Sequence, residues 1–502
     1  MSKKLLLTVL LLWCYLLLSA QEWRVRYAGK HPDGYTHFHD GLVDATGTTF
    51  LVGQEGPDRD HATALLLRID PVGTTAVYQY ETTGFHTEAT CIVETADQHL
   101  FVAGRQYDDT DDRLMVLVFD KALNLLSERF YEKEVEALRF GPCKGISDPQ
   151  GNIIIATYVT QHNEYLGTDY RGVLYTFHTN GDLIRHRYLI GEPSDPVSNL
   201  TDFRVRQLWS RPHDHTLLCL APGYGGVMSF ISFDSAFNYM EEHPIWRDEI
   251  DKSDHTLFQD CYTDYWYADD EALFFSSRGD ADHNKLRVSR VNTHGEILDM
   301  IHLNEQIGII DDAARPRCMA AANDSTFYFS FHSHQQGYHP GDACVYRLNK
   351  QLEITGSYVD DHGPYRTGLI LPTRDGGCIT VNDSCNDAPY MTTALPFINK
   401  LSLNDFDGIP WALSSPYQEW SVQKAFPNPC SETLYIPISN STPLEKTRCR
   451  VVDSHGRIIT DRIVQTNDGL LVLDTSKLKK GLYTYRVYSD RTPLSQGCFV
   501  KQ

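Results

Sequence analysis

The sequence predicts an all-β protein, a seven-bladed β-propeller followed by a small β-sandwich, on three observations. The body of the 502-residue chain reads as short β-rich runs separated by Asp, Gly, Asn and Pro, without a sustained helical period. Two sequence landmarks each recur seven times, about fifty residues apart. The recurrence stops near residue 415, and two closely spaced prolines then introduce alternating strands of another pattern.

The chain opens with Met1-Ser2-Lys3-Lys4, an apolar run from Leu5 to Leu18, and Ser19-Ala20 before the polar Gln21-Glu22. Two lysines, an apolar core shorter than the roughly 20 residues a membrane span needs, and small residues at the exit predict a signal peptide over 1–20, cleaved after Ala20. Cys14 follows the bulky Trp13, which argues against lipoprotein processing. No later segment is apolar enough to span a bilayer, so no transmembrane segment is expected. The remainder exceeds what one core can hold. Of twelve cysteines, eleven remain after the signal peptide, an odd number, and none forms a metal-type Cys-x-x-Cys. Cys91, Cys143, Cys261 and Cys318 fall on apolar strand patterns and are expected as buried thiols. Cys378 and Cys385 are spaced to close a local loop.

The first landmark is an apolar strand after a turn, centred on Phe50, Phe101, Ile154, Leu218, Phe274, Tyr328 and Ile379, with steps of 51, 53, 64, 56, 54 and 51 residues. The second is a strand running into a polar turn, ending at Asp70, Asp120, His178, Asp234, Asn292, Asn349 and Asn404. Each unit has room for four antiparallel strands. A sheet that small cannot bury both faces alone, so such sheets pack face to face in a ring. Seven blades of about 53 residues fill 21–415. The 64-residue step marks an insertion near Pro193–Leu200, and six or eight blades stay open should one unit be degenerate. Glu22–Tyr27 resembles the outer strands of other units and is expected to complete the last blade. Ile409–Leu413 competes for that place, and the sequence does not choose.

Charge divides the chain. Residues 21–423 hold 31 Lys and Arg against 59 Asp and Glu, and residues 424–502 hold 12 against 7. A surface as acidic as that of the body repels phosphate backbones and anionic lipid, which argues against nucleic-acid binding.

Pro427 and Pro429 fix φ and remove donors, so 416–426 reads as a linker that ends in a stiff joint. Beyond it, short alternating strands such as Thr433–Ile436, Cys449–Val452, Leu470–Leu473 and Tyr483–Tyr488 predict a sandwich over 427–502. Phe426-Pro-Asn-Pro429, the Leu434-x-Ile436 strand, Val451-Val-Asp-Ser-His-Gly-Arg457, Leu473-Asp-Thr-Ser-Lys-Leu478, Lys480-Gly-Leu-Tyr483 and Phe499-Val-Lys501 occur in order. They resemble the type A C-terminal sorting domain of type IX secretion cargo, over roughly Lys424 to Gln502. The resemblance implies an Ig-like sandwich, read by the translocon and sorting machinery after passage through the periplasm and then usually cleaved. It places the cargo in the medium or on the outer cell surface. It marks Pro427, Asn428, Pro429, Asp453, Gly456, Arg457, Gly481, Tyr483 and Lys501 as the sorting motif. Cys430, Cys449 and Cys498 fall outside the family pattern, and their pairing stays open.

Ligands of a propeller gather where the innermost strands begin, beside the loops between second and third strands. Thirteen residues before each first landmark stand His37, Glu88, Gly141, Val205, Cys261, Arg315 and Arg366, with His39, Arg139, Arg204, Arg206 and Asp260 nearby. His37, Glu88, Arg204, Asp260, Arg315 and Arg366 are the candidate ligand-binding set, since guanidiniums around a mouth can hold a carboxylate, sulfate or phosphate. The plainer reading is a wet channel lined by ion pairs, such as Arg315 with Asp311 or Asp312. The arginines are reminiscent of sialidases, but the Ser-x-Asp-x-Gly-x-x-Trp boxes are absent and that activity is not carried over. The loops Asp58–His61, Asp108–Asp112, Asp280–Asn284 and His332–His339 are rich enough in oxygen and imidazole donors for Ca²⁺, but none has full ligand spacing. No cofactor or metal site is therefore assigned. A His-Glu-x-x-His, a Gly-x-Ser-x-Gly and a phosphate-binding loop are missing, and no catalytic residue is assigned. The expected function is a secreted or surface-displayed binding or scaffold module for an extracellular glycan or protein ligand. The rival is a secreted hydrolase or lyase acting on an anionic glycan or peptide, with Glu88, Asp260 and His37 as its acid and base candidates.

Overall fold

The polar residue that ends the second landmark builds a turn. Asp70 Oδ1 accepts from the backbone N–H of Val72 at 3.0 Å and of Thr74 at 2.8 Å. Asp120, Asp234, Asn292 and Asn349 make the same two bonds in their own repeats, an Asx turn that reverses the chain between strands. The residue three places on takes positive φ: Gly73, Leu123, Gly181, Phe237, Gly295 and Leu352. For Leu123, Phe237 and Leu352 that conformation costs about 1–2 kcal/mol. All three side chains are buried in hydrophobic clusters, worth about 2–3 kcal/mol each, so burial outweighs the strain.

The computed structural model describes residues 22–502 apart from 32–33, 59–60, 134–138, 164–166, 190–203, 212–215, 223–227, 246–261, 268–271, 279–285, 303–317, 324, 333–340, 386–393, 407–428, 438–446, 454–457, 464–465, 468–469 and 490–491. The signal peptide and linker expected from sequence lie outside these, as do Ile409–Leu413 and the insertion near 193–200. The chain forms two compact units, Met1–Leu413 and Ser414–Gln502.

In the first, the described strands group into antiparallel units of four strands, with five over 139–188, where Arg139–Phe140 and Lys144–Ser147 both pair with Ile153–Asn163. Unit 1 is Tyr35–Val43, Thr49–Gly56, Thr63–Ile69 and Thr75–Tyr80. Units 2 to 5 span 86–131, 139–188, 207–244 and 262–302. The long strand Ile354–Pro372 ends unit 6 by pairing with Gly341–Leu348, then begins unit 7 by pairing with Cys378–Cys385. The fourth strand of unit 7 comes from the other end of the chain: Trp23–Arg26 pairs antiparallel with Ala394–Leu401, Trp23 opposite Lys400. The N-terminal strand thus takes the place for which Ile409–Leu413 competed.

Successive residues of a strand face opposite sides, so each sheet offers apolar faces to two neighbours. Phe50 and Leu66 of unit 1 meet Val102 and Leu117 of unit 2, and Phe101 and Val116 meet Ile155 and Phe177 of unit 3. Ala156 and Leu174 meet Cys219 and Phe233 of unit 4, and Leu220 and Phe230 meet Val291 of unit 5. Val288 meets Phe329 and Phe331 of unit 6, and Tyr328 and Val345 meet Ile370 and Cys378 of unit 7. Leu371 and Val381 of unit 7 meet Leu51 and Leu67, which returns the succession to unit 1.

Three first strands carry a bulge at the same place. The register slips between Phe38 and Asp40, between Ala89 and Cys91, and between Thr367 and Leu369. Opposite the first two bulges stand Gly53 and Gly104, where a Cβ would lie 2.0 Å from the His37 carbonyl oxygen and 1.8 Å from that of Glu88. The obstruction is backbone and cannot rotate away. Gly104→Ala is expected to destabilise the protein by about 3 kcal/mol or more, the upper range for overpacking, read as a lower urea midpoint. An unchanged midpoint would mean the bulge opens freely.

A buried carboxylate holds the N-terminal segment. Glu55 accepts from Tyr27 Oη at 2.8 Å, from Gln79 Nε2 at 2.6 Å, from the His31 N–H at 3.3 Å and from the Lys30 N–H. Four donors satisfy a charge that burial alone would make costly.

Cys378 is a free, buried thiol at one end of an eight-residue extended strand with Cys385 at the other. At about 3.3 Å per residue the two lie roughly 23 Å apart, so the expected local loop does not close. Cys91, Cys143, Cys318, Cys430 and Cys449 are also buried.

The second compact unit has a three-stranded sheet, Thr433–Pro437, Leu470–Asp474 and Thr466–Asn467, and a four-stranded one, Ile458–Ile463, Thr447–Asp453, Gly481–Ser489 and Thr492–Lys501. Leu434, Ile436, Leu471 and Leu473 from the first share one core with Cys449, Val451, Tyr485, Val487 and Phe499 from the second. Tyr435 and Val472, between the buried residues, are exposed.

Candidate functional site

First strands of units 1 and 2 place His37, His39 and Glu88 close together. His37 Nδ1 lies 2.9 Å from Asp383 Oδ2 of unit 7, and His39 Nε2 lies 3.0 Å from Glu88 Oε1 of unit 2. The two imidazoles meet edge to face at 4.6 Å. Glu88 Oε2 accepts from Arg105 Nε at 2.9 Å, and Arg105 Nη1 is 3.9 Å from Asp112 Oδ2. One line of ionisable groups therefore crosses three units. The carboxylates are set deeper than the groups they hold: side-chain exposure is 2% for Asp383, 10% for Glu88 and 4% for Asp112, against 14% for His37, 21% for His39 and 22% for Arg105.

Burial pushes the Glu88 carboxyl up, but the hydrogen bonds and charges of His39 and Arg105 outweigh it and hold the group at about 2. At Asp112 burial wins. Its carboxyl rises to about 6 despite Arg105, Lys133, Arg139 and the Phe140 N–H. That N–H donates to Asp112 Oδ2 at 3.3 Å, and Oδ1 has no hydrogen-bond partner among the described residues.

The line continues into units 3 and 4 as aromatic and guanidinium groups. Tyr158 meets Tyr170 edge to face at 5.5 Å, and the Arg204 guanidinium lies 4.6 Å over the Tyr170 ring. Burial raises the Tyr158 phenol above its ordinary value, and the charges of Arg204, Arg206 and Arg105 oppose that rise. The loop after the second strand of unit 1 reaches the same end of the sheets, since His61 contacts His86 at 5.1 Å and the Thr87 N–H donates to the Ala62 carbonyl at 3.0 Å.

Of the residues expected at the mouth, the structure brings His37, His39 and Glu88 into one network. It places Arg204 beside Tyr170, and Arg366 opposite Asp383 in the strand register. Asp260, Cys261 and Arg315 lie outside the described residues. Val205 is buried, and Gly141 lies under Tyr158. Sequence reasoning missed Arg105, Tyr158 and Asp383. All three stand four residues after their first landmark, Phe101, Ile154 and Ile379, a position that also holds Gln54, and a count forward along the second strand would have found them.

The oxygen-rich loops turn onto themselves. Asp58 accepts from the His61 N–H at 2.9 Å, and Asp108 Oδ1 from the N–H groups of Thr110 and Asp111 at 2.6 and 2.7 Å. Residues 280–284 and most of 332–339 lie outside the described residues. Among the described residues no three His, Cys, Asp or Glu side chains are grouped to hold a metal ion.

In the second unit, Gly481 stands opposite Lys501 and Asp453 opposite Tyr483 in the register. Tyr483 is buried and its hydroxyl donates to the Lys479 carbonyl at 2.8 Å. Pro429 is exposed, while Pro427, Asn428, Gly456 and Arg457 lie outside the described residues.

The first unit is of the β-propeller class, built of repeated four-stranded antiparallel sheets. Among solved structures, it is similar to a protein of unknown function from Dyadobacter fermentans (10% identity, 64% of this chain and 96% of that one, TM-score 0.42). It is also similar to the polysaccharide lyase Uly1 (10%, 73% and 90%, TM-score 0.44) and to a subtype N10 neuraminidase-like protein of a bat influenza A virus (10%, 76% and 98%, TM-score 0.34). At this level of likeness nothing about activity passes to this chain. No curated protein matches the sequence. Residues 424–501 match the family described as the secretion system C-terminal sorting domain. The protein is a type IX secretion cargo whose tail engages that machinery, and it is exported to the cell surface or the extracellular space. No helix among the described residues is long and apolar enough to cross a membrane.

Proposed function

We propose that this is a secreted or surface-displayed binding module, and that it holds an anionic extracellular ligand, a glycan or an acidic protein segment. In this reading a signal peptide (1–20) precedes a seven-bladed propeller (21–415), a linker (416–426) and an Ig-like sorting domain (427–502) carried past the outer membrane. The carrying observation is the layering of the network: imidazole and guanidinium donors stand forward and their carboxylates stand behind. Each donor is thereby oriented, and a ligand carboxylate or sulfate reaches the N–H groups before it meets a carboxylate. The acidic remainder of the body repels anions elsewhere. Neither a metal nor another cofactor enters this reading.

The test is binding of the full mature chain to an array of acidic and neutral glycans and acidic peptides. Acidic ligands are expected to bind, to weaken as salt is raised, and to lose about tenfold or more in affinity, some 1.4 kcal/mol, with His37→Gln. A blank array, or binding indifferent to His37, would overturn the reading.

One observation favours the enzymatic alternative. An imidazole held through Nδ1 by a buried carboxylate, as His37 is by Asp383, is the arrangement a general base needs. A hydrolase or lyase would release new reducing ends or unsaturated fragments from the bound glycan, and a binding module would leave it intact.

A further inference from the structure

Tyr158 is fixed in place by the strand beneath it. A Cβ at Gly141 would lie 2.3 Å from Tyr158 Cζ, so only glycine there lets the ring pack against the first strand of unit 3. The Gly141 N–H donates to the Tyr158 carbonyl at 2.7 Å, and its own carbonyl accepts from Thr157 Oγ1 at 2.9 Å. Tyr170 stands across the adjacent strand, beneath the Arg204 guanidinium. Tyr158, Tyr170, Arg204 and Arg206 are all partly accessible. Arg105, on the second strand of unit 2 and held by Glu88 at 2.9 Å, adds its charge to the field at the phenol.

We infer that Tyr158, Tyr170, Arg204 and Arg206, with Arg105, form a subsite for one sugar ring bearing a carboxylate or sulfate, a unit of an acidic polysaccharide. The proposal rests on the anionic-ligand reading above and narrows it from any anion to an acidic carbohydrate. Two features carry the narrowing. An aromatic face offers the flat apolar surface on which the C–H face of a sugar packs, and an acidic peptide side chain has no matching face. Guanidiniums beside that face supply the planar, bidentate donors that carboxylate and sulfate accept. His37 and His39 present a second set of donors from unit 1, so neighbouring acidic units of one chain can be held along the line from unit 4 to unit 1.

The experiment measures binding of the full mature chain to oligogalacturonate, to a sulfated chondroitin oligosaccharide, to an uncharged dextran oligosaccharide and to polyglutamate, beside thermal unfolding of every variant. At least one acidic oligosaccharide is expected to bind about tenfold or more tightly than dextran and polyglutamate. Arg204→Gln and Tyr158→Leu should each weaken it about tenfold or more, while Tyr158→Phe, which keeps the ring, stays within about twofold. Should Tyr158→Leu unfold the protein, Arg204→Gln and Arg206→Gln carry the test. Polyglutamate bound as tightly as the sugars would overturn the carbohydrate assignment, as would Arg204 and Tyr158 variants equal to wild type in a protein that His37→Gln still weakens. The anionic-ligand reading survives both of those results. It falls where wild type binds none of the three acidic probes, or where the binding seen is indifferent to His37→Gln.

Discussion

Deleting residues 424–502 is expected to leave the protein in the periplasm, with surface and medium levels at background in immunoblots of fractionated cells. The tail is a compact unit of its own whose core draws on residues of both its sheets. Its chain end is built into the fold: the Cys430 N–H donates to the Val500 carbonyl at 2.8 Å and the Gln502 N–H to the Cys430 carbonyl at 2.9 Å. The seven clusters of the body draw only on residues before 407, so the truncated body should fold and accumulate. A single change separates loss of the domain from loss of its sequence. Val451→Asp places an unpaired charge in the tail's core, costs several kcal/mol and should give the same retention with every motif residue outside the core intact. Normal display of the truncated protein would end the assignment of export to this segment.

The repeat was legible because it is written in the residue types that packing and turns require. Phe50, Phe101, Ile154 and their equivalents fall on second strands, and Asp70, Asp120, Asp234, Asn292 and Asn349 on the turns their side chains close. First-strand residues could be reached by counting back, which found His37 and Glu88. Their partners stand at one fixed offset, four residues past each landmark, but the residue there changes with the unit (Gln54, Arg105, Tyr158, Pro222, Arg278, His332 and Asp383), so a forward count gives the position and not its chemistry. The pair His37 and Asp383 joins residues 346 apart in the chain, a contact made only when the ring closes. The choice of closing strand was hidden for a similar reason. Trp23–Arg26 and Ile409–Leu413 both read as strands, and two of the donors that fix the N-terminal segment on Glu55 are backbone N–H groups, which no side-chain pattern records.

Glu88→Gln is expected to destabilise the body by about 3–5 kcal/mol at pH 7, read as a fall in the urea midpoint, because it strips the charge that Arg105 and His39 face in a largely buried setting. The loss should shrink in acid. The folded carboxyl sits at about 2 against an ordinary 4.5, so its contribution is complete above 4.5 and fades as pH falls toward 2, where wild type and variant converge. Asp112 runs the other way. Its carboxyl is raised from 3.8 to about 6, so the folded state holds that proton more tightly, and stability from this group declines as pH rises from about 4 through 6. Asp112→Asn keeps an oxygen for the Phe140 N–H and removes the charge that burial penalises. It should therefore exceed wild type by about 1–3 kcal/mol above pH 6 and show little advantage below pH 4. The two difference curves bend in opposite senses because Glu88 takes Arg105 at hydrogen-bond distance and Asp112 has it only at 3.9 Å. Curves that bend together would mean the two carboxyls titrate as one unit through Arg105, and the forward placement of that guanidinium would then depend on both.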